Sequence, residues 1–296
     1  MGYELWTSPI TGYRRKGTRL EELRILFAAG VQARAILEPL QCCPADAPGL
    51  VMKRILEQRG FDVAGVQETP DGPVLGYVEK VKLVGAHTAD SLLPLHAEHL
   101  ISDSTAIDEV LSALRSKPRV FVVVGTGVKG IVTRADLNKP PVRIYLFALV
   151  SLLEMHLRFW VRTMYPEDGW EKALKASRME EAQKLQEARQ KRNAHISLLA
   201  CLQFSDLRGL VLDKEEARVA LRLGSKGKGK ELLEDAEELR NRLAHSQDDL
   251  VEGKTWEQLI DLVTALDSAV TCSDAAVEKR ARDSVKGEGA ALWVSG

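Results

Sequence analysis

Arg240 and His245 lie in the string Leu239-Arg240-Asn241-Arg242-Leu243-Ala244-His245, with four residues between them, near the start of a predicted helix. Residues five apart sit about 140° apart around a helix of 3.6 residues per turn, so the two share one side without stacking. The pair joins a permanent cation to a side-chain type that titrates near neutral pH. That combination suits phosphodiester cleavage, in which one group moves protons and another steadies charge on the phosphate. Asn241 adds a polar contact that orients either group or the phosphate. The same string also reads as an ordinary charged helix surface, shared with Glu237, Glu238 and Arg242. A rival arrangement, Arg192-Asn193-Ala194-His195 with Arg189 six residues before the histidine, lacks the full Leu-Arg-Asn-x-Leu-Ala-His order. His195 therefore reads as structural or as a peripheral RNA contact.

The Arg240–His245 string resembles the signature of the HEPN superfamily, mostly metal-independent ribonucleases built on a short helical bundle. The resemblance implies that His245 is the general acid/base, acting on a ribose 2′-hydroxyl or a departing 5′-oxygen. It implies that Arg240 stabilises the phosphorane-like transition state and that Asn241 assists. Such chemistry needs no metal and leaves a 2′,3′-cyclic phosphate. The sequence carries no H-x-x-x-H, D-x-D or paired Cys/His ligand set, so no metal site is expected. Members of the superfamily commonly build one cleft from two motifs across a homodimer, which suits a chemistry in which one histidine cannot easily be acid and base at once.

The elements that must position these residues start from bulk properties. A chain of 296 residues is long for one compact domain, so two are expected. The net charge of −1 gives no global electrostatic footprint for nucleic acid, so any RNA contact has to be local. Cys42, Cys43, Cys201 and Cys272 form no C-x-x-C pair, which fits a reduced, cytoplasmic chain with neither a disulfide framework nor zinc. The opening residues show no secretory h-region, and Trp6 stands where a myristoylation signal wants Ser or Thr. The most membrane-like stretch, Ile144 to Val161, is interrupted by Glu154, His156 and Arg158, which argues for a buried bundle helix and no membrane.

The front half repeats itself. Ala47 to Gly60 has helical periodicity and leads to an apolar run, Phe61 to Val66, a turn at Thr69-Pro70-Asp71-Gly72-Pro73, and a second strand, Val74 to Val78. The order recurs as a helix over Thr105 to Ser116, a strand over Val120 to Val124, a Gly125-Thr126-Gly127 turn and a returning strand from Gly130 to Thr133. Gly76 and Gly130 hold equivalent places. Two copies are too few for a solenoid and point to two small modules packed face to face. The pattern resembles a tandem pair of cystathionine-β-synthase (CBS) domains over residues 30–140, with the better match in Gly130-Ile131-Val132-Thr133-Arg134-Ala135-Asp136-Leu137. The resemblance implies an adenine-nucleotide site (AMP, ATP or a related ligand) in which Asp136 accepts from the ribose hydroxyls and Thr133 contacts phosphate, with Arg134 a further phosphate contact. In the first copy Glu79 and Lys82 occupy those places, and a carboxylate there repels phosphate, so one site per chain is expected. Thr133 and Asp136 also fit a plain strand-to-helix cap.

The back half is helical. Lys139-Pro140-Pro141 marks the boundary, and from Val142 a stripe of Leu146, Leu149, Leu153, Leu157, Trp160 and Met164 describes one buried helix face. Glu154 faces the cleft or pairs with Arg240, or else points to solvent beside Arg158; the last fits slightly better. A polar helix is expected from Glu171 to about Leu202, then Leu210 to Leu221, Glu231 to His245, and Thr255 to Val270. Between them, Arg222-Leu-Gly-Ser-Lys226-Gly-Lys228-Gly-Lys230 reads as a flexible basic loop. Its Lys226, Lys228 and Lys230 either follow an RNA backbone or belong to an exposed linker.

The expected fold is thus α+β: an N-terminal extension over 1–29, a tandem CBS pair over 30–140, a HEPN-like bundle over 141–272 and a polar tail over 273–296. The expected function is a nucleotide-regulated, metal-independent endoribonuclease of defence or stress response, acting on RNA as a homodimer. A non-catalytic nucleotide-sensing or partner-binding protein is the alternative. A third reading is a toxin silenced by an antitoxin partner.

Overall fold

The computed structural model describes residues 17–192, 196–245 and 249–287. The chain divides into two compact units, Phe27–Val142 and the combination of Met1–Leu26 with Arg143–Gly296. Along it run α1 (Leu20–Gly30), β1 (Glu38–Pro39), β2 (Cys42–Pro44), α2 (Gly49–Arg59), β3 (Val63–Gln67), β4 (Gly76–Glu79), β5 (Leu100–Ser102), α3 (Ile107–Arg115), β6 (Arg119–Val124) and β7 (Gly127–Thr133). Six helices follow: α4 (Pro140–Met164), α5 (Ala176–Gln190), α6 (Phe204–Leu212), α7 (Glu215–Ala220), α8 (Lys226–Ala244) and α9 (Trp256–Gly287).

The unit Phe27–Val142 contains the expected repeat twice. In the first copy β2 runs parallel to β3 through the crossover helix α2, and β4 returns antiparallel to β3. In the second, β5 runs parallel to β6 through α3, and β7 returns antiparallel. Parallel neighbours need a crossover, and a helix whose apolar face covers the sheet supplies it. Leu56 of α2 and Leu83 close over Cys43, Ala64, Val66 and Val78, while α3 buries Ile107, Val110, Leu111 and Leu114. The two copies meet through Tyr77 and Phe121, whose ring centres lie 4.8 Å apart, and through an ion pair of 2.7 Å between Arg119 and Glu79.

The segment before each copy adds to the other copy's sheet. β1, ahead of the first copy, pairs with β7, placing Pro39 opposite Gly130 and Glu38 opposite Ile131. Leu93, ahead of the second copy, bridges to Tyr77 in β4. This exchange explains the two equivalent glycines. A Cβ at Gly76 would fall 2.4 Å from the Leu93 carbonyl oxygen, and one at Gly130 would fall 3.1 Å from Leu37 Cδ1. The close approach of the exchanged segment leaves no room for a side chain at the first position and little at the second.

In the helical unit, the stripe on α4 is buried as expected at Leu146, Leu149, Leu153, Leu157 and Trp160. α4 starts at Pro140, where a proline costs no helical hydrogen bond. It is long and apolar enough to cross a membrane, and 61% of its most apolar window is buried. Its polar residues have partners: the fully buried His156 lies 2.6 Å from Ser273 Oγ and 3.3 Å from Asp274, and Trp160 Nε1 donates to the same Ser273 oxygen.

Several boundaries depart from the sequence expectations. α9 continues to Gly287, so residues 273–287 are helical, and Ser273 and Val277 are buried where a polar tail was expected. Residues 19–24 of the N-terminal extension belong to the helical unit: the Leu20 amide donates to Asp274, Arg24 reaches Asp267 and Arg19 pairs with Glu278. Instead of one helix over 171–202, a 3-10 stretch over Pro166–Ala173 precedes α5, because the buried Trp170 turns inward and donates to Asp168. The stretch expected over Leu210 to Leu221 is two helices, α6 and α7. The Lys226–Lys230 run is not a loop. It forms the first turns of α8, with the Ser225 hydroxyl accepting from the Lys228 amide. Gly229 supports this by packing where a Cβ would meet Leu212 at 2.8 Å. The Asn193-Ala194-His195 string, residues 1–16 and the Trp293 patch lie outside the described residues.

Candidate functional site

The Arg240–His245 string closes α8; it does not open a helix. Leu233, Ala236 and Leu239 form the buried face of α8, which leaves Arg240, Asn241 and Ala244 on its accessible flanks. His245 is the C-cap residue, exposed, with its amide donating to the Asn241 carbonyl at 3.0 Å.

Arg240 and His245 face different neighbours. The Arg240 Nε lies 3.3 Å from Glu154 Oε2, and Arg158 also bonds Glu154. Glu154 is only 8% exposed, so the carboxylate looks inward and holds Arg240 as well as its own helix neighbour Arg158. The expectation that it points to solvent is corrected. His245 and Asn241 instead line an open cavity of about 300 Å³ with Glu238, Arg242 and Glu252. The spacing of about 140° around the helix accounts for this divergence.

Arg242, which the sequence reading assigned only to a charged surface, shapes that cavity. Its guanidinium donates to the Leu250 carbonyl at 3.1 Å and to Glu238 at 2.6 Å. Lys254 completes a clasp, 2.6 Å from Asp235 and 3.0 Å from Glu238. The hydrogen bond from Lys254 holds the Glu238 carboxyl below its ordinary range against partial burial, with Arg242 adding to it. Burial alone would lower Lys254, but hydrogen bonds to Asp235 and Glu238 raise it. Leu250 and Lys254, ahead of α9, are thus both tied back onto α8.

The Thr133–Asp136 pair forms the cap that its spacing also allowed. The Thr133 amide and hydroxyl both donate to Asp136 Oδ2, at 2.7 and 2.8 Å, and the carboxylate is buried. Its other oxygen takes Lys139 Nζ at 2.9 Å. Lys139 also reaches Glu38 and the Ile36 carbonyl; burial pulls its pKa down, but the hydrogen bonds and charges of Glu38 and Asp136 raise it. Arg134 donates to the Leu114 and Arg115 carbonyls, closing the C-terminal end of α3. All three candidate ligand residues are therefore engaged locally. In the first copy Glu79 takes Lys82 at 2.8 Å as well as Arg119, and hydrogen bonds from those two hold its carboxyl low.

Among the three lysines opening α8, Lys226 pairs with Asp213 at 2.5 Å, Lys230 lies 3.8 Å from Glu234, and Lys228 is exposed. A cavity of about 460 Å³ in the unit Phe27–Val142, lined by residues including Cys42, Gln67, Thr69 and Asp71, was signalled by no motif. Beside it burial pushes the Cys43 thiol up to about 11. Among the described residues no group of three or more His, Cys, Asp or Glu side chains is placed to hold a metal.

No protein-family model and no curated protein matches this chain. Solved structures do. CBSX2 in complex with AMP is 17% identical, with 39% of this chain and 98% of that one covered and a TM-score of 0.34. The CBS domain of a bacterial CNNM/CorC-family Mg2+ transporter in complex with ATP is 18% identical, with 40% and 92% covered and a TM-score of 0.32. CbpB in complex with c-di-AMP is 14% identical, with 41% and 86% covered and a TM-score of 0.32.

Proposed function

We propose that this protein is a metal-independent endoribonuclease of the HEPN type, regulated by an adenine nucleotide bound to a tandem CBS module. The observation that carries the catalytic half is the pairing of Arg240 with the buried Glu154, five residues ahead of an exposed His245. A guanidinium held by a buried carboxylate is pre-organised to meet charge developing on phosphate. The accessible His245 imidazole supplies or removes a proton. Because Arg240 and His245 diverge within one chain, the productive cleft is composite, formed by the α8 ends of two copies.

The nucleotide half rests on the tandem β-α-β-β copies and on the Gly130–Leu137 string. At that string the ligand competes for Asp136 with Lys139, so binding requires the Lys139 contact to open. A ligand shifts the protein only by preferring that opened state. A non-catalytic nucleotide sensor is the second reading, favoured by the same modules and by a net charge near zero.

Incubating the full-length protein with a mixed RNA pool in EDTA, with and without AMP or ATP, tests the reading beside a His245→Ala control. Cleavage by the wild type alone, with 2′,3′-cyclic phosphate ends and a rate that responds to nucleotide, is expected. Nucleotide binding without cleavage under any condition supports the sensor reading.

A further inference from the structure

The end of α8 that carries His245 is held from α4. The Arg143 guanidinium donates to the Arg242 carbonyl at 3.2 Å. The last carbonyls of a helix have no partner further along it, so a cation from another element is suited to cap them. This cap falls three residues before His245, whose amide closes α8 on the Asn241 carbonyl. Arg242 in turn reaches the Leu250 carbonyl with its own guanidinium.

Four residues before Arg143 stands Lys139, which closes the first turn of α4: its carbonyl accepts from the Val142 amide at 3.1 Å. Lys139 is itself tied to Asp136 twice, by its amide on the Asp136 carbonyl at 3.1 Å and by its ammonium on the carboxylate at 2.9 Å. The ammonium also takes the Ile36 carbonyl at 2.5 Å. Val142, between Lys139 and Arg143, is fully buried, and a close-packed turn passes a displacement on instead of absorbing it. α4 is continuous here, with Pro140–Val142 in the unit Phe27–Val142 and the rest in the helical unit.

We propose that Arg143 is a positioning residue that couples the Lys139–Asp136 contact to His245. The link rests on the reading in which a nucleotide displaces Lys139 from Asp136, and it adds the residue through which that displacement reaches the histidine. Coupling is carried by an element with two arrangements, here the first turn of α4 tethered or released. Release of Lys139 frees that turn, the Arg143 cap on Arg242 loosens, and α8 frays at His245.

The test is residue-resolved amide exchange of the full-length protein, read at His245 against Leu207 of α6, whose amide bonds the Gln203 carbonyl at 3.2 Å. The Leu207 reference removes any general loss of stability. Linked sites couple by about 5–150-fold, so Lys139→Met is expected to speed exchange at His245 at least about 5-fold relative to Leu207. In an Arg143→Met background the added Lys139→Met is expected to leave it within about 2-fold, the spread of uncoupled sites. Asp136→Asn weakens the same contact from the other side with little change in volume, and repeats the cycle should Lys139→Met not fold. Equal effects with and without Arg143, or no effect at His245 beyond that at Leu207, overturn the link. AMP or ATP added to the wild type is expected to speed His245 exchange as Lys139→Met does. A cycle that couples while neither nucleotide alters His245 leaves the Arg143 link standing and removes the nucleotide reading. A nucleotide that alters His245 as strongly in Arg143→Met as in the wild type overturns the link and keeps the nucleotide reading.

Discussion

Glu154 is the hinge of the catalytic account, and a double-mutant cycle with Arg240 measures its role without any assay of activity. The carboxylate is 11% exposed at the side chain and faces Arg240 Nε at 3.3 Å, while Arg240 itself is 40% exposed. Fully exposed pairs couple by about 0.2–1 kcal/mol, and removing one partner of a buried pair costs about 3–5 kcal/mol. A pair with one buried and one half-exposed member lies between, at a coupling of about 1–2 kcal/mol. The two single variants differ, because Glu154 also serves Arg158. Arg240→Ala leaves the carboxylate paired and should cost about 1 kcal/mol, whereas Glu154→Ala leaves two neighbouring guanidiniums unbalanced and should cost about 2–4 kcal/mol. In the Glu154→Ala background, Arg240→Ala should be neutral or stabilising. Urea unfolding followed by tryptophan fluorescence is a suitable probe, because all five tryptophans fall within the sequence ranges of the helical unit. Additive effects, within about 0.5 kcal/mol, would refute the pairing of Arg240 with Glu154.

Other outcomes follow from the same geometry. Gly76→Ala should destabilise the unit Phe27–Val142 by about 2–4 kcal/mol, because its Cβ meets a backbone carbonyl at 2.4 Å. Gly130→Ala should cost about 1 kcal/mol or less, since a leucine methyl at 3.1 Å can move; equal costs in thermal denaturation would dismiss the exchanged-segment explanation. Asp136→Asn should lose stability by about 1–2 kcal/mol in the absence of nucleotide, since it weakens a buried cap that also holds Lys139; a variant as stable as the wild type speaks against the cap. The clasp on the connector after His245 should be pH-bounded. Glu238, held low, contributes above its ordinary 4.5 and is lost as pH falls through the depressed value. Lys254, held high, contributes below its ordinary 10.5 and is lost as pH rises through the raised value. Amide exchange at Leu250 and Val251, corrected for intrinsic rate, should stay flat between those values and quicken below the lower one; the same protection in acid would sink the clasp.

What the sequence revealed, and what it hid, divides along local and non-local lines. The α4 stripe and the two copies around Val63–Glu79 and Arg119–Thr133 were readable because helical period and β-branched runs are local signals. The lysine-glycine run departs from its local signal. Alternating glycines read as a loop, yet Gly229 packs between Leu212 and Leu223, and tertiary contact overrides the weak local propensity. The side of α4 on which Glu154 falls was ambiguous, because an i, i+4 partner such as Arg158 fits a buried face and an exposed one equally. The docking of Leu20 and Arg24 on α9 joins residues more than two hundred positions apart, and no periodicity announces it. The spacing of Arg240 and His245 was visible, but their divergence toward separate neighbours depended on which face of α8 is buried. The cap at Thr133–Asp136 was legible as one of two readings, and Lys139 as its third member was not.

The central claim is that His245 and Arg240 cleave RNA by attack of its own 2′-hydroxyl, and single-turnover cleavage in EDTA tests it most directly. An RNA oligonucleotide and its all-2′-deoxy counterpart are compared with wild-type, Arg240→Ala and His245→Ala proteins. Loss of a general acid/base contributes about 10²–10⁴-fold, so the account predicts cleavage of RNA alone, with a rate at least about 100-fold lower in His245→Ala. Equal cleavage of the deoxy strand, or a His245→Ala protein that cleaves at the wild-type rate, would contradict it.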